Sequence, residues 1–416
     1  MKNTWLGKIG LFVAAICVAT AVASPAQTFN TLFKFSAGDG EAANGSLVQG
    51  TDGNFYGTAG LGGANHSRKY CSNGDQYGCG TIFEITPKGK FSVVYNFCSL
   101  TDCADGGVPS AGLVLATNGN LCGTTNSGGA NNNGDCNGAG GGTVFEITSA
   151  GKLTTLYSFC SQQPSCADGI GPGQLVQGAN GNFFGTTASG GILDGNNGCP
   201  DGCGTVFEIT QAGQFTTLYK FCGCGDGEFP LSGLVQAANG NFYGMTGAGG
   251  GYGSVFEITP AGKFSQIYSF CSLPNCADGE GPVGTLLQGA SGYLYGATQS
   301  GGAYASGTIF EITGRGKLTT LHSFCAEENS QGACADGSTP QAGLIRPVTG
   351  TSTGRLRSAE MRQLSSAPLP VAARFSNSRG VSSSQPFTVF AHKRTVLTAP
   401  FRSRHSCSPP TERSTG

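Results

Sequence analysis

Between residues 31 and 345, apolar and β-branched residues alternate with polar ones, and no repeat carries the spacing of an amphipathic helix. The alternation comes in short runs that recur in a fixed order. An apolar run comes first, at Leu47 to Gln49, Leu113 to Leu115, Leu175 to Gln177, Leu234 to Gln236 and Leu286 to Gln288. A two-residue turn follows (Asp52-Gly53, Asn118-Gly119, Asn180-Gly181, Asn239-Gly240 or Ser291-Gly292) and leads into an Asn-Phe-Tyr-Gly-like run at Asn54, Asn120, Asn182, Asn241 or Tyr293. Asn-Gly and Asp-Gly tolerate the positive φ of a type I′ turn, so these runs are expected to pair as a hairpin of strands a and b. Strand c is Gly-Thr-Val-Phe-Glu-Ile-Thr or a variant of it, and a turn at Gly89, Gly151, Gly213, Gly262 or Gly316 reverses the chain into strand d, Thr-Thr-Leu-Tyr-Ser-Phe and its variants.

Phe-Glu-Ile-Thr begins at Phe83, Phe145, Phe207, Phe256 and Phe310, at intervals of 62, 62, 49 and 54 residues. Four antiparallel strands in a unit of about fifty residues match a propeller blade, and two hairpin turns per unit argue against a β-solenoid. The expected fold is all-β: a β-propeller of four-stranded antiparallel blades, five complete blades plus an incomplete sixth. The chain opens on a lone strand d, Thr31 to Phe35. It ends the pattern with a strand d at Thr319 to Phe324 and the start of a strand a at Leu344 and Ile345. Propellers often complete one blade from both termini, which removes exposed sheet edges; here strands b and c of that blade are missing.

Three segments are expected. Residues 1–26 combine Lys2 and Lys8 with an apolar run from Ile9 to Val22 and small residues at Ala21, Ala23 and Ala26, the pattern of a secretory signal peptide. Residues 27–345 form the repeat domain. Residues 346–416 hold 4 of the 71 glycines and carry 11 Lys/Arg against 2 Asp/Glu, whereas 27–345 carry 10 against 22. This Arg/Ser-rich tail is expected to be disordered. No aromatic interleaving accompanies its charge, so a nucleic-acid role is not expected. The register breaks in mid-strand after Gly343-Leu344-Ile345, which suggests a frameshift near codon 346. No stretch beyond the signal peptide is long and apolar enough for a membrane span, so a secreted or periplasmic location is expected.

Sixteen of the 18 cysteines lie between Cys71 and Cys334, a density suited to export. After strand d they come in twos: Cys98 with Cys103, Cys160 with Cys166, Cys222 with Cys224, Cys271 with Cys276, and Cys325 with Cys334. The loop after Phe35 has neither. Between strands b and c the first blade has Cys71 and Cys79, the third Cys199 and Cys203, and the fourth and fifth none. The second keeps Cys136, has Gly141 in place of its partner, and has Cys122 in place of the strand b tyrosine. Joint gain and loss implies eight local disulfides, with Cys122–Cys136 the displaced pair. The one-residue gap of Cys222 and Cys224 strains bridge geometry. Zinc is not expected, because no pair lies near a second pair or a His in sequence.

Up-and-down strands put the b–c and d–a connections at one end of every blade, so all these bridges share a face with the longest and most variable loops. Such loops on a rigid scaffold commonly carry binding. Asp-Gly recurs there at Asp39, Asp105, Asp168, Asp226, Asp278 and Asp336, either as a ring of carboxylates for a ligand or as Asp capping its own turn. Glu84, Glu146, Glu208, Glu257 and Glu311 recur in mid-strand, and their presence in every blade suggests an inter-blade hydrogen bond more than catalysis. No nucleophile, base and orienting group form a set, so no catalytic residue is expected. No metal or cofactor is expected either; the stretch Asn131 to Gly138 resembles a calcium loop but lacks the closing Glu.

The unit Leu-Val-Gln-Gly … Asp-Gly-Asn-Phe-Tyr-Gly-Thr … Gly-Thr-Ile-Phe-Glu-Ile-Thr-Pro … Gly-Lys, from Leu47 to Lys90, resembles the GloVer tandem repeat of bacterial choice-of-anchor exported proteins. The likeness covers residues 31 to about 345 and implies export and a C-terminal sorting segment; no hydrophobic anchor follows here. The function expected is a non-catalytic binding or surface-interaction module that presents its stapled face to a polysaccharide or protein. A secreted carbohydrate-active enzyme and a structural surface-layer component are the alternatives.

Overall fold

The computed structural model describes residues 31–344, apart from 44, 72–77, 132–138, 163–165, 193–198, 200, 224, 231, 249–250 and 327–333. The expected signal peptide and tail, Ile345, Cys136 and Cys224 lie outside the described residues. Five four-stranded antiparallel sheets follow one another along the chain. The first is β1 (Val48–Gln49), β2 (Phe55–Ala59), β3 (Thr81–Ile85) and β4 (Phe91–Asn96); the second β5 (Val114–Leu115), β6 (Leu121–Thr125), β7 (Thr143–Ile147) and β8 (Leu153–Ser158). The third is β10 (Val176–Gln177), β11 (Phe183–Ser189), β12 (Thr205–Ile209) and β13 (Phe215–Lys220), with β9 (Ile170–Pro172) also paired to β11. The fourth is β14 (Val235–Gln236), β15 (Phe242–Thr246), β16 (Ser254–Ile258) and β17 (Phe264–Ser269); the fifth β18 (Glu280–Gln288), β19 (Leu294–Ser300), β20 (Thr308–Ile312) and β21 (Leu318–Ser323). These are the blades of a β-propeller fold, each made of strands a to d in chain order.

Register is the same in every blade. The strand b glycine stands opposite the strand c phenylalanine: Gly57 and Phe83, Gly123 and Phe145, Gly185 and Phe207, Gly244 and Phe256, Gly296 and Phe310. The ring lies across the glycine, and a Cβ on Gly244 would stand 2.4 Å from Phe256 Cζ. The glycine of Asn-Phe-Tyr-Gly is thus a seat for a ring. Strands c and d slip by a bulge between Ile82 and Phe83 and at the matching place in the other four blades.

Consecutive blades are joined by hydrophobic cores. Tyr56, Ile82 and Phe97 pack with Leu113, Leu121 and Phe145; Val144 and Phe159 with Leu175, Phe183 and Phe207. Phe184, Val206 and Phe221 pack with Leu234, Phe242 and Phe256, and Tyr243, Val255 and Phe270 with Leu286, Leu294 and Phe310. At each junction the phenylalanine after strand d meets the next blade's strand c ring edge-on, with centroids 5.2 to 5.4 Å apart. Among the described residues, none of the four clusters joins the fifth blade to the first.

The segment expected as a lone strand d carries no ladder hydrogen bonds of its own, yet it holds that strand's place. Phe35 meets Phe83 edge-on at 5.0 Å, as Phe97 meets Phe145. Phe33 stacks on Phe91 at 3.9 Å, as Tyr157 does on Phe215 at 4.0 Å. At the other end, Pro340 packs against Gly307 as Pro282 packs against Gly253, so the chain beyond the fifth blade begins to dock as a further strand a.

Candidate functional site

On the stapled face, each d–a loop is wound around a carboxylate. Asp105 Oδ2 accepts hydrogen bonds from Tyr95 Oη, Ser99 N and Ser99 Oγ, all at 2.9 Å, and Oδ1 accepts from Leu100 N at 3.1 Å. Asp168 is held in the same way by Tyr157, Ser161 and Gln162, and Asp278 by Tyr268, Ser272 and Leu273. All three aspartates are 0 % exposed. These carboxylates are therefore consumed in clamping their own loops and present nothing to a ligand. Asp226 is bound by Tyr219 Oη at 2.8 Å and Cys222 N at 3.1 Å, and Asp39, which has no tyrosine partner, by Ser36 Oγ at 2.6 Å. In the last copy imidazole replaces phenol, with His322 Nε2 3.0 Å from Asp336 Oδ2.

The clamp sets the ionisation of its partners. Burial pushes the Tyr95 and Tyr268 phenols up to about 12, helped by the neighbouring carboxylates and opposed by the serine hydroxyls. Burial alone would raise the Asp278 carboxyl, but the bonds from Tyr268, Ser272 and Leu273 outweigh it and hold it below its ordinary value. A charge-accepting network of this kind favours the carboxylate and the neutral phenol together.

Disulfides close Cys71–Cys79, Cys98–Cys103, Cys160–Cys166, Cys199–Cys203, Cys271–Cys276 and Cys325–Cys334. Cys98, Cys103, Cys160, Cys166, Cys271, Cys276 and Cys325 all have φ between 51° and 68°, a left-handed backbone that costs free energy in a non-glycine residue. Bridge and clamp together hold these loops in that conformation. The expected Cys122–Cys136 bridge needs correcting, because Cys122 is a free, buried thiol. It lies near the tight-turn end of β6, beside Glu146 across the ladder. It packs in the core between blades two and three, and burial, then Glu146, pushes its thiol up to about 12. Cys222 directs its sulfur to Asp226 Oδ1 at 3.3 Å.

Two further placements were hidden in the sequence. The sulfurs of Cys71, Cys79, Cys98 and Cys103 all lie within 4.8 Å of one another, so two pairs that are distant in sequence meet between the b–c and d–a loops. Both pairs are closed as disulfides, which leaves no thiolate there to bind a metal. The strand c glutamates make their bond within the blade, not across blades. Glu84, Glu208 and Glu257 accept from Asn54, Asn182 and Asn241 Nδ2 at 2.6 to 2.7 Å, and Glu146 from Asn120, because each glutamate lies across from strand b beside the a–b turn. The polar inter-blade link is instead the strand a glutamine: Gln177, Gln236 and Gln288 Oε1 accept from Thr117, Ala179 and Ala238 N of the preceding blade.

With the polar groups of the loops turned inward, the face offers apolar side chains outward. Leu100 and Leu273 project from d–a loops, and Ile192, Tyr252 and Tyr304 from b–c loops, each 41 to 56 % exposed. Nothing local requires a large apolar side chain at those positions. They form a discontinuous apolar relief on this face.

A β-propeller with one face of tight turns and one of clamped, bridged loops is the class of protein that fold and site define. The chain belongs to the Gloeobacter/Verrucomicrobia repeat family, whose model matches residues 68–272 and 136–362. No curated protein matches it in sequence. Among solved structures it is similar to a gluconolactonase of Xanthomonas campestris (10 % identity, TM-score 0.37, covering 68 % of this chain and 76 % of that one). It is also similar to the PQQ-bound aldose sugar dehydrogenase of Streptomyces coelicolor (10 %, TM-score 0.39, 74 % and 86 %) and to a luciferin-regenerating enzyme (10 %, TM-score 0.41, 73 % and 80 %). No helix among the described residues is long and apolar enough to cross a membrane.

Proposed function

We propose that the chain is an exported, non-catalytic binding module that uses its stapled face to hold a polysaccharide. The observation that carries this reading is the projection of Leu100, Ile192, Tyr252, Leu273 and Tyr304 into solvent from that face. Tyr252 and Tyr304 stand on short b–c loops without cysteines, Tyr252 O accepting from Gly281 N at 2.9 Å beside the bridged and clamped Asp278 loop, and exposed tyrosines so placed offer flat apolar surfaces to sugar rings. The disulfides favour an oxidising compartment, which supports export. A protein partner would use the same residues as anchors, and the test separates the two.

Full-length mature protein is applied to an array of bacterial and plant polysaccharides, beside the double variant Tyr252→Ala, Tyr304→Ala. The expected outcome is saturable retention on at least one glycan, weakened about tenfold or more in the variant. If the wild type is retained on no glycan, or the variant is retained equally, the polysaccharide reading is wrong.

A further inference from the structure

On the opposite face, between the fourth and fifth blades, lies a cavity of about 270 Å³ lined among others by Asn239, Tyr243, Gln288, Leu294 and Gly314. Two differences from the preceding junction make room for it. At the preceding junction the rings of Phe184 and Phe242 stack at 4.0 Å; here Tyr243 takes the first place and Leu294 the second, as Tyr56 and Leu121 do between the first and second blades, so the tyrosine lacks a flat cover and Gly314 is what sets this junction apart. Above it the c–d turn carries Gly314, where the other blades carry Pro87, Ser149, Gln211 and Pro260. A Cβ at Gly314 would come within 3.3 Å of Tyr243 Oη.

The polar groups inside are neutral and converge. Tyr243 Oη donates to Glu257 Oε1 at 2.7 Å and accepts from Asn239 Nδ2 at 2.9 Å, which leaves one of its lone pairs for a ligand donor. No charged side chain lines the cavity, and Glu257 behind the tyrosine disfavours anions. The volume is just below the roughly 300–1,000 Å³ of sites for drug-sized molecules, which limits the ligand to about one small ring. We propose that this cavity binds a single neutral sugar ring through its hydroxyls, independently of the loop face.

Isothermal titration of the mature protein with D-glucose, D-galactose and D-mannose tests this, beside Leu294→Phe and Gly314→Pro, each of which installs the residue of another blade. Tyr243→Phe, which matches Phe184, removes only the hydroxyl. The expected result is saturable binding of at least one hexose, lost in the two filling variants and weakened about tenfold in Tyr243→Phe, with unfolding midpoints near wild type. Binding of none of the three sugars overturns the proposal, as does binding that survives all three variants. Hexose binding lost instead in the Tyr252, Tyr304 double variant would place the sugar on the loop face and equally overturn it.

Discussion

At the scale of single residues, the repeated Tyr–Asp pair sets how the loops respond to pH. Asp278 is held below its ordinary value of 3.8, so its stabilising contribution is complete above that value and is lost as the pH falls through the lower folded-state value. Tyr268 is moved the other way. Its neutral form is favoured in the fold, so that contribution is complete below 10 and is lost as the pH rises through about 12. Tyr268→Phe is expected to cost about 1–3 kcal/mol at neutral pH by urea unfolding, with the alkaline loss reduced; equal alkaline loss in the variant would rule this clamp out as its source. The Cys122 thiol, buried and pushed up to about 12, is expected to resist alkylation in the native protein and react only on unfolding, as peptide mass mapping would read.

At the scale of elements, the blade depends on a ring resting on a glycine. Gly244→Ala would bring a methyl group against Phe256 and Leu234, at 2.4 and 2.8 Å, in a packed core with no room to yield. A destabilisation of about 1–3 kcal/mol is expected, seen as a lower thermal midpoint, whereas alanine at Gly240, in the a–b turn with nothing within 4 Å, tests only the cost of its φ of +84°. The Asn-Gly turns, the alternation and the c–d glycine turns were legible in the sequence because each follows from local backbone chemistry. The Glu–Asn bond was not, since its partner depends on strand register. The recurrence of Glu84 in every blade gave only the information that its role is repeated.

At the scale of the whole molecule, the blades are fastened in series by the phenylalanine after each strand d, and the first blade receives the same fastening from Phe35. Phe97 is fully buried, so Phe97→Ala is expected to cost about 3–5 kcal/mol. Phe35 is only partly covered, so Phe35→Ala should cost less while exposing Phe83 and Phe91, measurable as increased dye binding to apolar surface. An equal or larger loss for Phe35→Ala would mean that the N-terminal segment is held by more than these rings.

The sequence by itself determined the repeat, the hairpins, the all-β class, the gathering of long loops at one face and most of the cysteine pairs. All of these rest on turn chemistry, period and joint gain or loss between neighbours along the chain. Only the tertiary structure decided which carboxylates are buried, where Cys122 lies, that two bridges meet within 4.8 Å, and that a cavity lies between the fourth and fifth blades. Those facts depend on distances between segments tens of residues apart, set by blade packing, to which a linear pattern of polar and apolar positions is blind.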